Sequence, residues 1–156
     1  MALETDKVSS ISTWSDESTP ALHATEHNAL HTAYNAAVGG VTFVIGAEAS
    51  NVINVGIQLN DLAGDALAVI GHVFAYLSDA STGIAISAAA PDGTVGIGTD
   101  GAIIVEQATK LAWDLQSEAD GDIDLDLADT TGTPTWYMVV VLPSGLQVVS
   151  TAITFA

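Results

Sequence analysis

Three of the four histidines lie four residues apart near the amino end of the chain, at His23, His27 and His31. On a helix, this spacing places their imidazoles on one face, where ring nitrogens can bind a transition metal. The run His-Ala-Thr-Glu-His differs, however, from the His-Glu-x-x-His pattern of metalloproteases, and no third ligand is evident in the chain. Three copies of His27 on a trimer axis would offer an ion site. We predict instead that these histidines set the register of a helix–helix interface and bind no metal.

A second group of chemically active side chains is the alternating run of aspartates from Asp120 to Asp126. This spacing resembles the start of a calcium-binding loop. The match is incomplete, because Gly121 is in the wrong place and Thr131 stands where the loop needs a glutamate. Strand periodicity explains the same residues, since Ile123–Leu127 alternates and would place its apolar side chains inward and its aspartates in water. Calcium bound at Asp120, Asp122 and Asp124 stays an alternative.

Constellations for catalysis are not evident. The chain has no cysteine and no Gly-x-Ser-x-Gly elbow, so the common nucleophiles lack their sequence context. The glycine-rich run 93–98 lacks the lysine and the helix of a phosphate-binding loop. Lys7 and Lys110 are the only fixed cations that could stabilise a developing anion. We therefore predict a protein that is not an enzyme and that uses no cofactor.

The charge balance excludes two classes of partner. Two lysines stand against 19 acidic residues, which gives the 156-residue chain a formal net charge of -17. Such a chain cannot neutralise phosphates, so neither nucleic acid nor an anionic membrane surface is an expected partner. Because 49% of the residues are hydrophobic, the chain should still bury a core. The first residues lack the features of a signal peptide, and we expect synthesis in a cytoplasm.

Composition divides the chain into an arm, a helix and a β domain. Residues 1–19 are polar apart from Trp14 and predict an extended arm, which is either a loose tail or an anchor for a partner through Trp14. Residues 20–40 predict one short helix and a turn, because a Thr-Pro pair suits the first turn and a glycine pair suits the end. Residues 41–156 form the predicted β domain.

The predicted helix carries a heptad-like seam. Its members recur at steps of three or four residues and include His23, His27, Leu30 and Tyr34. About two heptads cannot form a stable coiled coil alone, yet the seam could line a symmetry axis if a larger domain supplied most of the association energy. We therefore place these four residues in a predicted oligomer interface.

The β domain contains nine β-type runs between turn signals. They are Val41–Ile45, Val52–Leu59, Ala66–Leu77, Ile84–Ala88, Ala102–Glu106, Leu111–Gln116, Ile123–Leu127, Thr135–Leu142 and Leu146–Phe155. The turn Pro143–Gly145 lies between two apolar runs, as is typical of a hairpin. Without helical periods between the strands, the pattern predicts a mainly β fold, specifically an antiparallel β-sandwich.

Two of these runs are apolar on both faces. Ala66–Leu77 carries Phe74 and Tyr76 opposite its other apolar residues, and Thr135–Leu142 repeats the pattern. In an antiparallel sandwich, one face of each strand normally meets solvent. The second face is covered either by the chain's own helix or arm or by another subunit, or it belongs to a central strand that tolerates exposed apolar residues. The scarcity of mixed charges favours a homo-oligomer with Phe74 and Tyr76 at the interface.

Several segments resemble small virion proteins of tailed bacteriophages. The segments are Thr19–Asn35, Ile57–Asp61, Ala75–Asp79, Asp120–Leu125, Thr135–Gly145 and Ser150–Phe155. The run Thr-Trp-Tyr-Met-Val-Val-Val-Leu-Pro-Ser-Gly, with the final Ser-Thr-Ala-Ile-Thr-Phe, is the most specific part. Together the segments cover most of residues 19–156.

The resemblance implies an immunoglobulin-like domain in a head-decoration, head-fibre or tail-associated protein. We expect a non-enzymatic capsid decoration (cement) protein that self-associates and binds the major capsid protein on the outer surface of a phage head. Trp14 would lie in the capsid-binding arm, and a homotrimer is expected by analogy with decoration proteins on three-fold positions.

Two alternatives remain from the sequence. One is a tail or head fibre module that binds a host receptor or surface glycan, with Trp113–Asp114 or Trp136–Tyr137 stacking on sugars, although we favour a place in the strand core for both pairs. The other is an acidic surface or secreted domain adapted to salt, which the missing signal peptide disfavours.

Overall fold

The computed structural model describes residues 28–30, 33 and 36–156 of the chain. The predicted arm with Trp14 lies outside the described residues, as do His23, His27 and Tyr34 of the predicted seam. The chain separates into one unit of residues 1–33 and a second unit of residues 34–156. In the first unit, residues 28–30 and 33 are helical, within the range predicted for the helix. In the described part of the chain, no helix has the length and apolarity to cross a membrane.

The described part of the second unit is built from ten strands. They are β1 (Gly40–Ile45), β2 (Val52–Asn60), β3 (His72–Ser78), β4 (Val95–Ile97), β5 (Ala102–Ala108), β6 (Ala112–Gln116), β7 (Asp122–Ala128), β8 (Thr135–Val141), β9 (Gln147–Val149) and β10 (Ile153–Thr154).

The strands form two antiparallel sheets. The first sheet has the order β1-β2-β7-β4, and the second has the order β10-β8-β3-β6-β5, with β9 also paired to β8. Every recorded pairing between these strands is antiparallel. The prediction of a mainly β, antiparallel fold is therefore confirmed.

One hydrophobic core contains the inward residues of both sheets. On β2 and β7, apolar residues alternate with polar ones, and register pairs such as Val55 with Leu125 are fully buried. From the second sheet, Trp113 and Met138 join the same cluster. The rings of Trp136 and Phe155 meet edge to face with centroids 5.8 Å apart, which joins the end of the chain to the core. Burial of this apolar surface is the main driving force for the fold.

The predicted strand Ala66–Leu77 is wrong in its first half, because β3 begins only at His72. Leu67 is buried and donates its backbone N–H to the carbonyl of Leu59. Gly71 then donates its N–H to the hydroxyl of Ser117 at 2.8 Å, a tertiary contact that replaces a strand ladder. A Cβ on Gly71 would lie 2.7 Å from the Leu59 side chain, so a larger residue here would require the packed leucine side chains to shift.

Three further differences concern strand ends and short strands. Ile84–Ala88 is not a strand, and the short strand β4 was not predicted. The predicted run Leu146–Phe155 is split into β9 and β10, because the hydroxyl of Ser150 accepts the backbone N–H of Met138 at 2.9 Å. The predicted hairpin turn is confirmed, since β8 pairs with β9 and Gly145 donates its N–H to Leu142 at 2.8 Å.

Candidate functional site

The outer face of the second sheet is apolar over much of its area. On the inner strands of this sheet, Phe74 is the register partner of both Asp114 on β6 and Val141 on β8. Beside these residues, Tyr76, Val139 and their neighbours form a second hydrophobic cluster, separate from the main core. The prediction that β8 is apolar on both faces is therefore confirmed.

The chain itself covers one half of this face. The hydroxyl of Tyr76 donates a hydrogen bond to the carbonyl of Gly83, and Gln147 donates its amide to the same hydroxyl at 3.1 Å. A Cβ on Gly83 would lie within 3.1 Å of both Val149 and Val139, so this residue of the 79–90 segment packs directly on β8 and β9. Tyr76 is only 5% exposed as a result. Its side chain is thus already covered, which leaves little of it for the predicted contact with another subunit.

The covering segment 79–90 is held by its own hydrogen bonds. The carboxylate of Asp79 accepts the hydroxyl of Ser87 at 2.6 Å and the backbone N–H of Ala88 at 3.0 Å. These two bonds lower the pKa of Asp79 below its usual value, because they favour the ionised carboxylate. Ser87 also accepts the indole N–H of Trp136 at 3.2 Å. The segment is therefore a fixed part of the domain surface.

The other half of the face is open and forms a groove of about 410 Å³. The groove is lined by His72, Val73, Phe74, Ile104, Asp114, Leu115, Val141 and Pro143. Phe74 is half-buried, whereas Ile104 is 51% exposed. The walls of the groove are thus mainly apolar, with one carboxylate and one imidazole.

Neighbouring side chains fix the polar and aromatic walls of this groove. The Asp114 carboxylate accepts the side-chain amide of Gln107, on β5, at 2.6 Å. The ring of Phe74 lies against that of Tyr76, with centroids 5.9 Å apart and planes 36° apart. Because Tyr76 is itself hydrogen-bonded, Phe74 packs on a fixed support.

A bulged strand supplies the remaining wall. Strand β5 pairs with β6 in shifted register between Ile103 and Val105, which leaves Ile104 as the extra residue of a β-bulge. Within the described sheet, β5 is an edge strand, and both Ile104 and Val105 are about half exposed. A bulge at an edge twists the strand and limits pairing with other edges, so the side chains of β5 are better suited to contact than its backbone.

The alternating aspartates lie on the outer face of the first sheet, as periodicity predicted. Asp122, Asp124 and Asp126 pair with the polar side of β2, and Asn54 donates its amide to Asp126 at 2.9 Å. Burial and the neighbouring carboxylates raise the pKa of Asp122 above its usual value. In residues 28–30, 33 and 36–156, no three ligand side chains converge to hold a metal ion. The calcium alternative is therefore not supported here.

The preferred placement of the two tryptophans in the strand core is confirmed, and the alternative of sugar stacking is wrong for both. Trp113 is 0% exposed and Trp136 is 2% exposed, because register places both side chains on the core face of the second sheet. Of the predicted interface residues that are described, Leu30 is 70% exposed and Phe74 lines the groove.

Sequence reasoning missed the polar lining of the groove. His72 and Val141 belonged to the two-faced runs, which was a usable signal, but their convergence with Asp114 depends on strand order and on the bulge. The lining contains no hydroxyl, thiol or amine nucleophile beside the imidazole. Its chemistry therefore suits binding, with apolar contact plus one anionic hydrogen-bond acceptor.

Comparison of the chain with protein-family models, with curated proteins and with solved structures finds no match. The resemblance to tailed-phage virion proteins therefore rests on sequence segments alone.

Proposed function

We propose that the chain is a non-enzymatic virion structural protein, a capsid decoration protein that binds the outer surface of a phage head. The observation that carries this proposal is the open half of the outer sheet face, where Phe74, Val141 and Ile104 meet solvent around one carboxylate. The domain closes its core fully and covers half of this face with its own 79–90 segment. A surface left open beside such a cover suits contact with another protein.

We propose an immunoglobulin-like arrangement for the domain. The order β1-β2-β7-β4 corresponds to strands A-B-E-D of a variable-type immunoglobulin domain, and β9-β8-β3-β6-β5 corresponds to G-F-C-C′-C″. The chain departs from that fold in two respects between β3 and β7. Strand β4 precedes β5 and β6 whereas strand D follows C′ and C″, and β5 precedes β6 whereas C″ follows C′. The buried tryptophans also stand on β6 and β8 rather than on β3.

The proposal assigns separate surfaces to self-association and to capsid binding. The helical seam of His23, His27, Leu30 and Tyr34 would line the axis of a homotrimer. The arm with Trp14 would anchor each copy on the major capsid protein, and the open groove would add a second contact. A net charge of -17 keeps the protein soluble before assembly.

A fibre module that binds a host receptor or glycan is the second candidate. Its original support, the two tryptophans, is buried in the core. One observation still favours it, because Phe74 stands beside Asp114 in an open groove, and an aromatic ring next to a carboxylate suits a sugar. A glycan screen with the wild-type protein separates the two candidates.

Binding to undecorated heads tests the proposal. Wild-type protein should co-sediment with heads in a saturable manner, and sedimentation equilibrium should give three copies per particle of free protein. Removal of residues 1–19 should abolish head binding while the far-ultraviolet circular dichroism and the melting temperature stay unchanged. Failure of the wild-type protein to bind heads, combined with glycan binding or with labelling of tail tips, would overturn the proposal.

A further inference from the structure

We infer that the open groove receives an arginine or lysine side chain of a partner protein. The aliphatic part of that side chain would lie on Phe74 and Val141, and its cationic head would meet the carboxylate of Asp114. The inference rests on the proposed function in so far as the partner is a protein of the particle. It adds the chemistry of the contact and makes the groove a site for a basic residue.

The walls of the groove fit the stem of such a side chain. Phe74 and Val141 are register partners on adjacent strands, so their side chains stand together on the outer face. Ile104 faces them from the bulge of β5 and completes an apolar channel. Long cationic side chains bury their methylene groups on apolar surface while the charged end stays near water or an acid. The π face of the Phe74 ring would also attract the cationic head of the side chain.

The polar end of the groove fits the head of the same side chain. Asp114 is half-buried, and Gln107 binds one of its oxygens at 2.6 Å. A carboxylate has about four lone-pair positions, so a further donor can bind beside Gln107. The imidazole of His72 also lines the groove and offers a further polar contact. A charged donor is the best match, because hydrogen bonds between ionised partners are the stronger ones.

Charge complementarity selects a different protein over a second copy. A second copy would bring the same net charge of -17 and few cations to the groove. Its fixed cations are Lys7 and Lys110. The Lys110 amine already donates to the carbonyls of Pro91 at 3.3 Å and Asp92 at 3.1 Å. A partner rich in arginine or lysine would be attracted to this surface and would supply the missing cation.

Nuclear magnetic resonance of the full chain tests the groove with n-butylguanidinium, which carries the end of an arginine side chain. Saturable shifts should appear at the amides of the groove strands, centred on Phe74, Asp114 and Val141. The neutral isostere n-butylurea should bind more weakly, by about fivefold. Asp114→Asn keeps the acceptor for Gln107 and should weaken n-butylguanidinium by a similar factor, about fivefold.

The matched control is Asp126→Asn on the other sheet, which removes the same charge from the same protein. It should leave the affinity of the groove for n-butylguanidinium unchanged. Shifts that centre on Asp122–Asp126, or that respond equally to both substitutions, would show general attraction to an acidic surface and would overturn the inference. Groove signals that move on dilution of the wild-type protein, but not of Lys7→Gln, would identify a second copy as the occupant and would also overturn it.

Head binding then separates this inference from the proposed function. If wild-type protein binds heads and Asp114→Asn binds them with about fivefold lower affinity, the inference and the proposed function both stand. If the two proteins bind heads equally, the groove is not the contact and the inference fails while the proposed function stands. If n-butylguanidinium occupies the groove and no protein binds heads, the proposed function fails and the cationic site stands.

Discussion

The hydroxyl of Tyr76 donates a hydrogen bond to the carbonyl oxygen of Gly83 and ties the 79–90 segment to the outer face of the second sheet. This contact divides the face into a covered half and an open half. It also fixes Tyr76, whose ring packs against that of Phe74 in the wall of the groove. The first predictions therefore concern this hydrogen bond and the glycine that accepts it.

Tyr76→Phe should lower the free energy of unfolding by about 1 kcal/mol, because it removes a hydrogen bond between largely buried groups. Urea unfolding at neutral pH measures the change, and Tyr137→Phe on β8 is the matched control. Burial raises the pKa of Tyr76 above its ordinary value of 10.0. The wild type should therefore lose stability as the pH rises above about 10, where the unfolded chain ionises first, and Tyr76→Phe should lack that part of the loss. Equal alkaline profiles would contradict the assignment.

Gly83→Ala should destabilise the domain more than Gly145→Ala. Both glycines have positive φ, 68° and 84°, so alanine is strained at each position by about 1 kcal/mol. Only at Gly83 would the new Cβ also lie 2.9 Å from Val149, whereas nothing lies within 4 Å at Gly145. Thermal unfolding should give Gly83→Ala a lower melting temperature than Gly145→Ala. Amide exchange should accelerate in the 79–90 segment of Gly83→Ala alone, and equal exchange in both variants would refute the close packing.

Asp79 should contribute to stability only while it is ionised. Hydrogen bonds from Ser87 and Ala88 lower its pKa in the folded state below the usual value of 3.8. Its contribution is therefore present above about pH 3.8 and is lost as the pH falls through the lower folded value. Asp79→Asn should reduce stability at pH 6, and its difference from the wild type should shrink toward pH 2.5. As the pH falls, protonation of the other carboxylates reduces charge repulsion in both proteins and acts in the opposite direction on their stability. The difference in stability between the wild type and Asp79→Asn is therefore the quantity to measure.

Asp122→Asn should stabilise the domain at neutral pH by about 0.5 kcal/mol. Burial, with repulsion from Asp124, Asp100 and Asp120, raises the folded pKa of Asp122, so folding favours its protonated form. That favourable contribution is complete below about pH 3.8 and is lost as the pH rises through the folded value. The neutral amide restores it and can still accept the backbone N–H of Ile123, now at 3.0 Å. The gain should vanish in acid, and a gain that persists at pH 3 would contradict this cause.

Local periodicity predicted most of the first sheet and the centre of the second. The alternating run Ile123–Leu127 forms β7 because one side of it meets the core and the other meets water. Where a tertiary hydrogen bond decides the backbone, as from Gly71 to Ser117, the sequence pattern gave the wrong element. Strand β4 is too short to show a period, since it has three residues with glycine at its centre.

The candidate site was only partly predictable. Apolar residues on both faces of β8 indicated that its outer face needs cover, but they could not show that the 79–90 segment supplies it at Tyr76 while Phe74 stays accessible. The meeting of Ile104 with Asp114 depends on a register shift, and no local signal in β5 fixes its position. Long-range strand order therefore determines the groove more than any single motif does.

Above all, we propose that this chain decorates the outer surface of a phage head. An electron-microscopy reconstruction of the parent particle is the decisive measurement. We expect density for this domain on the outer surface of the head, in three-fold clusters, with Phe74 and Asp114 facing a basic side chain of the capsid protein. A groove that faces solvent would contradict only the groove contact, whereas density at the tail with none on the head would contradict the proposed function.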